Sequence, residues 1–172
     1  MRRGATDQAM PGGHGRFPKR VEAMLDAADA ACAAHGARLT PLRRQVLGLV
    51  LESPQPIGAY ALLDRLKESR TGAAPPTVYR ALEFLLEHGF VHKVERLNAF
   101  VGCRSATAGH EHHDHDHAHT VQFLICGRCG HVEELEDASV RAALAKAAAR
   151  AGFTPGRMTV EVEGTCRDCA RG

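Results

Sequence analysis

The stretch that decides the fold is Pro75-Pro76-Thr77-Val78-Tyr79-Arg80-Ala81-Leu82-Glu83-Phe84-Leu85-Leu86-Glu87-His88-Gly89-Phe90-Val91-His92-Lys93-Val94. Proline is tolerated in the first turn of a helix, because the N–H it lacks has no intrahelical partner there. Val78, Leu82 and Leu85 recur at three and four, an apolar stripe on one helical face. Gly89 stops the helix. Phe90 to Val94 is β-like, and Ala99-Phe100-Val101-Gly102-Cys103 answers it across a Leu97-Asn98 turn. A helix that leads directly into a hairpin is the second half of a winged helix-turn-helix.

The flanks agree. Upstream, Thr40 before Pro41 is an N-cap followed by proline at the first helical position. Leu42, Val46, Leu49 and Val50 mark that helix, and Pro54 and Pro56 follow it. Another helix runs from near Gly58 to Ser69, with Leu62, Leu63 and Leu66 inward. Val21, Leu25, Ala28 and Cys32 predict a further helix ending at Gly36, an addition to the winged plan. Residues 1–19 have no periodicity and read as a flexible arm. Downstream, residues 104–119 are Ser, Ala, Gly, Asp and His, a linker with no means of forming a core. Beyond it the pattern is a strand (Val121 to Ile125), a Cys-x-x-Cys turn, a strand (His131 to Leu135), a helix (Ala138 to Ala151), a strand (Met158 to Val162) and a second Cys-x-x-Cys. The expected class is α+β: a winged helix-turn-helix followed by a small α/β domain. That domain is too small to stand comfortably without a metal or a partner chain.

The chain has 172 residues, 44% hydrophobic and 24% charged, with a formal charge of +2. This excludes a wholly disordered chain, a collagen and a coiled-coil rod. No apolar run approaches the ~18 residues that span a bilayer. The first twenty residues carry arginines but no apolar core, so no secretory signal is expected, and the expected compartment is the cytoplasm. The net charge is too small to argue for nucleic acid by itself.

The unusual counts are six cysteines and eleven histidines. In a reducing compartment, paired cysteines read as metal ligands or redox centres before disulfides. Cys126-x-x-Cys129 and Cys166-x-x-Cys169 are two such pairs. The two-residue spacing lets both thiolates of a knuckle face one ion about 2.3 Å away, and two knuckles complete a tetrahedron. Residues 130–165 separate them, and a strand-helix-strand of that size brings the chain back. Two redox dithiols or unpaired thiols are the alternative. Cys32, on an apolar helical face, reads as a small core residue.

A second constellation is dispersed. His92 and Cys103 lie on the two strands of the expected wing, His119 ends the linker, and Glu133 and Glu134 follow the first knuckle. His92, Cys103, His119 and one glutamate would mix N, S and O donors from both domains. One thiolate with imidazoles favours zinc over iron or manganese. The alternative for a single strand histidine is a local hydrogen bond. The run His110, His112, His113, His115, His117 and His119 is either a low-affinity metal catch or a solvated, pH-sensitive linker.

Thr77, Tyr79 and Arg80 fall in the first turns of the fourth helix, where a recognition helix presents side chains to base edges. Arginine pairs bidentately with guanine, tyrosine touches a thymine methyl or a phosphate, and threonine suits a phosphate. Arg43, Arg44 and Lys93 would add contacts to the DNA backbone, whereas Glu83 and Glu87 limit contact to the N-terminal half of the helix. An amphipathic helix with a solvated face is the alternative. No nucleophile elbow, Walker loop or His-Glu-x-x-His is present, and no enzyme is expected.

Leu39-Thr40-Pro41-x-Arg43, Pro76-Thr77-Val78-Tyr79-Arg80-Ala81-Leu82, Gly89-Phe90-Val91-His92-Lys93 and the two Cys-x-x-Cys pairs together resemble the ferric uptake regulator family, from residue 21 to residue 170. Within it the chain is most similar to the zinc uptake regulator branch. The resemblance implies a homodimeric, zinc-activated repressor of zinc-uptake genes that binds AT-rich palindromic operators in double-stranded DNA. It implies a winged DNA-binding domain over residues 20–103, a His-rich hinge over 104–120 and a dimerisation and metal-binding domain over 121–172. It maps the structural zinc site onto Cys126, Cys129, Cys166 and Cys169, and the regulatory site onto His92, Cys103, His119 and Glu134. Each chain would then carry one structural and at least one regulatory Zn2+. Tyr79 and Arg80 match base-contacting positions, and Tyr60 a further DNA-facing one.

There are departures. Iron-sensing members carry a His-Asp-His cluster ahead of the first knuckle, where this chain has Val121-Gln122-Phe123. The long His run is a candidate for an auxiliary metal site, with Asp116, His117 or His131 as ligands. Asp64 and Lys67 read as part of a solvated helix face, with pairing between dimers as the alternative. The rivals are a relative sensing iron, manganese or peroxide, and a zinc buffer or metallochaperone built on the His run.

Overall fold

A computed structural model describes residues 17–103, 120–156 and 158–172. The described N-terminal half holds α1 (Lys19–Ala34), α2 (Pro41–Glu52), α3 (Ala59–Ser69), α4 (Pro75–Glu87) and a hairpin of β1 (Val91–Val94) and β2 (Ala99–Gly102). The C-terminal half holds β3 (Thr120–Cys126), β4 (Val132–Leu135), α5 (Ala138–Arg150), β5 (Met158–Gly164) and α6 (Arg167–Arg171). The short α6, which carries Cys169, has no apolar periodicity and was not expected. α1 starts two residues earlier than its apolar pattern, at Lys19.

Local chemistry accounts for the boundaries. The Thr40 hydroxyl accepts the Arg43 N–H at 3.4 Å, which caps α2. α4 opens on Pro75 and closes on a left-handed Gly89 at φ 70°. There the Phe90 N–H reaches the Leu85 carbonyl at 2.9 Å, which turns the chain straight into β1. Leu25, Leu47, Leu62, Leu66, Leu82 and Leu85 are fully buried and hold α1 to α4 together. β2 lies hard against α2: a Cβ at Gly102 would stand 2.4 Å from Leu51 Cδ2.

The hairpin is a wing with two faces. Register pairs Val91 with Gly102 and Lys93 with Phe100, and Val91 and Phe100 belong to the helical core. His92 pairs with Val101 and Val94 with Ala99 on the opposite face. That face meets the C-terminal sheet, where Val94 packs with Phe123 and Ile125. Ile57, from the loop before α3, exchanges two backbone hydrogen bonds with Phe100 and occupies the outer edge of β2.

The C-terminal sheet has the order β4-β3-β5. β3 pairs antiparallel with β4 and parallel with β5. The parallel pair is the return that the separated knuckles require, since it sets Cys126 beside Gly164. Paired residues share a face. Val121, Phe123, Ile125, Val132, Glu134, Glu161 and Glu163 therefore face the wing side, and Leu124, Leu135, Val160 and Val162 face away. No residue of α5 is buried, and Phe153 just beyond it is 68% exposed.

Candidate metal centres and nucleic-acid interface

Two groups of donor atoms converge among the described residues, each within a 4.8 Å spread. The first is Cys126, Cys129, Cys166 and Cys169. Backbone bonds shape both arms: Cys126 N–H to the His131 carbonyl at 2.8 Å, Gly130 N–H to the Cys126 carbonyl at 3.0 Å, and Gly127 N–H to the Gly164 carbonyl at 2.9 Å. The Sγ atoms of Cys129 and Cys166 are 3.8 Å apart. A tetrahedron of four sulfurs around zinc, with 2.3 Å arms, has edges of ~3.8 Å. The donor set and its spacing thus fit zinc.

The electrostatics point the same way. Backbone N–H groups of Cys166, Cys129 and Arg128 stabilise the Cys126 thiolate and hold its pKa at about 6. The sulfurs of Cys129 and Cys166 push Cys169 up to about 12. The first thiolate forms easily and the last proton is held hard. A divalent cation is the partner that makes four adjacent thiolates compatible.

The second group is His92, Cys103 and Glu134. His92 is on β1, Cys103 follows β2 and Glu134 is on β4, so the donors come from both halves of the chain. His92 Nε2 lies 3.7 Å from Glu134 Oε1, and both side chains are mostly shielded. The Cys103 thiol is buried. Edge contact with the Phe123 ring, centroids 6.2 Å apart, orients the imidazole. Glu133 alternates to the opposite face of β4, which leaves Glu134 as the carboxylate facing the wing. One imidazole, one thiolate and one carboxylate make a three-donor set of the kind that leaves a fourth position for another ligand.

The outer face of the winged half carries the remaining candidates. Tyr60 is 70% and Tyr79 49% exposed, Arg80 is exposed and Thr77 half-buried. Tyr60 and Tyr79 share the rim of a cavity of about 850 Å3 between α3, α4 and the wing.

Residues 34–163 match the ferric uptake regulator family. The chain belongs to the ferric uptake regulator family. It is 42% identical over 149 residues to the zinc uptake regulation protein of Escherichia coli strain K12, an alignment spanning 87% of this chain and 82% of that one. Among solved structures it resembles a zinc uptake regulator complexed with zinc and DNA, at a TM-score of 0.78 and 40% identity over 90% of this chain and 97% of that one. It also resembles holo XcZur, at a TM-score of 0.73 and 46% identity over 86% and 97% of the two chains.

In this member of the ferric uptake regulator family, most of the expected metal ligands lie in two places. The four cysteines converge, and so do His92, Cys103 and Glu134. His119, and Asp116 and His117 of the auxiliary set, lie outside the described residues. His131 is exposed at the end of the first knuckle and belongs to neither donor group. Two of the expected DNA-facing arginines also make contacts within the fold. The Arg43 guanidinium stands 3.5 Å from the Phe84 ring centroid and donates to the Arg38 carbonyl at 2.7 Å. Arg44 pairs with Glu22 and Asp26, each at 2.7 Å. Asp64 and Lys67 pair with each other along α3 at 3.7 Å.

Three residues at the junction carry no motif: Phe123, Glu161 and Glu163. The alternation Thr159-Val160-Glu161-Val162-Glu163 signals a face bearing two carboxylates. What that face meets is not written in it. Among the described residues no helix is long and apolar enough to cross a membrane.

Proposed function

We propose that this chain is a zinc-responsive transcriptional repressor that binds palindromic, AT-rich operators in double-stranded DNA as a dimer and shuts off zinc-uptake genes in the cytoplasm. The observation that carries this reading is the donor set of His92, Cys103 and Glu134, drawn from the wing and from the C-terminal sheet. Residues 20–103 are the DNA-binding domain, 104–120 the hinge and 121–172 the dimerisation domain. His92, Cys103, His119 and Glu134 are the regulatory ligands, and Cys126, Cys129, Cys166 and Cys169 hold a structural ion, giving at least two zinc ions per chain. Zinc supplies a Lewis acid that cross-links donors of both domains. The residues do the rest: the wing carries α4 with it, because Gly89 and Phe90 join them without slack. Tyr60, Thr77, Tyr79 and Arg80 then address the DNA, Arg80 in bidentate contact with a guanine.

A dimer accords with the exposed apolar side chains of the C-terminal half. Leu124, Leu135, Leu144, Phe153 and Val162 are exposed on one chain. A second copy covers them and places two recognition helices about 34 Å apart, one turn of DNA. The sulfur ligand favours zinc over iron or manganese as effector.

The test is recovery of genomic fragments by the purified protein at high and at very low buffered free zinc. Zinc-dependent capture of a few promoters sharing a palindrome is the expected result. The Cys103→Ser variant should keep the zinc of its four-cysteine site and lose at least tenfold in operator affinity at limiting zinc. Capture that ignores zinc would move the effector to another ion. No capture, with several weakly held zinc ions, would favour a zinc buffer.

A further inference from the structure

We propose that Glu161 is a second anchor of the winged domain, a positioning residue whose carboxylate clamps the wing turn and so sets the angle at which the recognition helix is presented. The proposal rests on reading His92, Cys103 and Glu134 as the regulatory metal site, and it adds a contact that contains no metal.

One rung of the C-terminal sheet carries the argument. Phe123 pairs with Glu134 on β4 and with Glu161 on β5. All three point to the wing side. Glu134 stands against His92 at one end. At the other end Glu161 Oε1 accepts the Glu95 N–H at 2.6 Å and Oε2 accepts the Arg96 N–H at 3.0 Å. Two oxygens on two consecutive amides make a bidentate contact, charge-assisted and orientation-specific. The amides belong to a turn that is itself closed, with the Asn98 N–H bonded to the Glu95 carbonyl at 3.0 Å and Asn98 at φ 45°. They therefore face β5 instead of the hairpin ladder.

Glu163 strengthens that end by pairing with Arg96. It also lies over Gly127 of the first knuckle, where a Cβ would meet its Oε1 at 2.8 Å. The wing turn, β5 and the cysteine knuckle are thus one connected patch. Between the two ends sit Phe123, 1% exposed, and Val94, fully buried.

The mechanical consequence is simple. Strands two apart are separated by ~10 Å. One anchor on a rigid hairpin leaves a pivot, and two anchors at that separation remove the swing. Loss of the clamp lowers the fraction of chains in the DNA-competent angle, and apparent affinity falls by the same fraction.

The test uses full-length, zinc-loaded Glu161→Gln. Glutamine keeps the size but replaces one accepting oxygen with an NH2 group. Amide exchange at Glu95 and Arg96 should rise at least tenfold, and operator affinity should fall by about tenfold, the scale of losing a charge-assisted hydrogen bond. Zinc content per chain should stay at the wild-type value. Glu161→Asp, with the charge but a shorter reach, should recover part of both losses, and it serves alone if the glutamine variant does not fold. Unchanged exchange at residues 95 and 96 overturns the clamp. Faster exchange with wild-type operator affinity overturns its positioning role. Wild-type protein without zinc-dependent DNA binding sinks the functional reading instead, while the exchange data still judge the clamp.

Discussion

The two halves of this chain stay folded for different reasons. The winged half buries its own leucines between four helices, and the wing closes one side of that core. The C-terminal half buries little: among its described residues only Gln122, Phe123, Ile125 and Cys126 are buried, and the apolar neighbours of Phe123 and Ile125 include the wing's Val94 and Val101. One half is held by burial. The other leans on the wing, and on the function proposed above zinc and a second copy supply the rest. A half that depends on its partners can report on them, and this makes it suited to sensing.

Metal removal should break the comparison most. Chelation, or the double change Cys166→Ser and Cys169→Ser, should unfold residues 120–172 and leave α1 to α4 intact. Calorimetry should then show a low transition separated from that of the winged half, with amide protection lost only in the C-terminal half. A single transition covering both halves would show that the winged half depends on the other.

A paired leucine truncation sharpens it. Leu85 is fully buried, so Leu85→Ala should cost about 2–5 kcal/mol of unfolding free energy in the winged half. Leu144 is 39% exposed on α5. Leu144→Ala should change unfolding of the chain by less than about 0.5 kcal/mol. It should instead weaken self-association, read by sedimentation over a dilution series. Equal costs in both halves would remove the distinction drawn above.

The smallest effect concerns the start of α5. The Ser139 hydroxyl, and then the N–H groups of Ser139 and Val140, hold the Asp137 carboxyl below the ordinary carboxylate range. The ionised form is the one the folded state prefers. The cap therefore contributes above the unfolded pKa of about 3.9 and is lost as pH falls through the lower folded value. Amide shifts of Ser139 and Val140 should move in acid, and Asp137→Ala should abolish that movement and remove the cap's small contribution at neutral pH.

Much of this was legible before any coordinates. Thr40-Pro41, Pro75-Pro76 and Gly89 mark helix ends because capping is local chemistry. The leucine stripes mark the winged core because period and burial are linked. Two Cys-x-x-Cys pairs mark a thiolate centre because their spacing is itself the geometry of a knuckle. Arg43 and Arg44 read from the sequence as contacts to the DNA backbone. In the fold Arg43 stands on the Phe84 ring and Arg44 pairs with Glu22 and Asp26 of α1, contacts that no local pattern announces.

The order of residues alone settled every element type except the short α6, the helical core, the two Cys-x-x-Cys pairs and the resemblance to a family of regulators. Tertiary structure alone decided what crosses the junction. Glu134 rather than Glu133 faces His92, because β4 alternates and its register against Phe123 puts one carboxylate on the wing side. Glu161 reaches the Glu95 and Arg96 amides because a parallel β5 lies beside β3. Local signals arise between residues a few positions apart, so they are written in order along the chain. Register and domain docking bring together residues that stand far apart in the sequence, 66 positions for Glu95 and Glu161, and they exist only once the strands have paired.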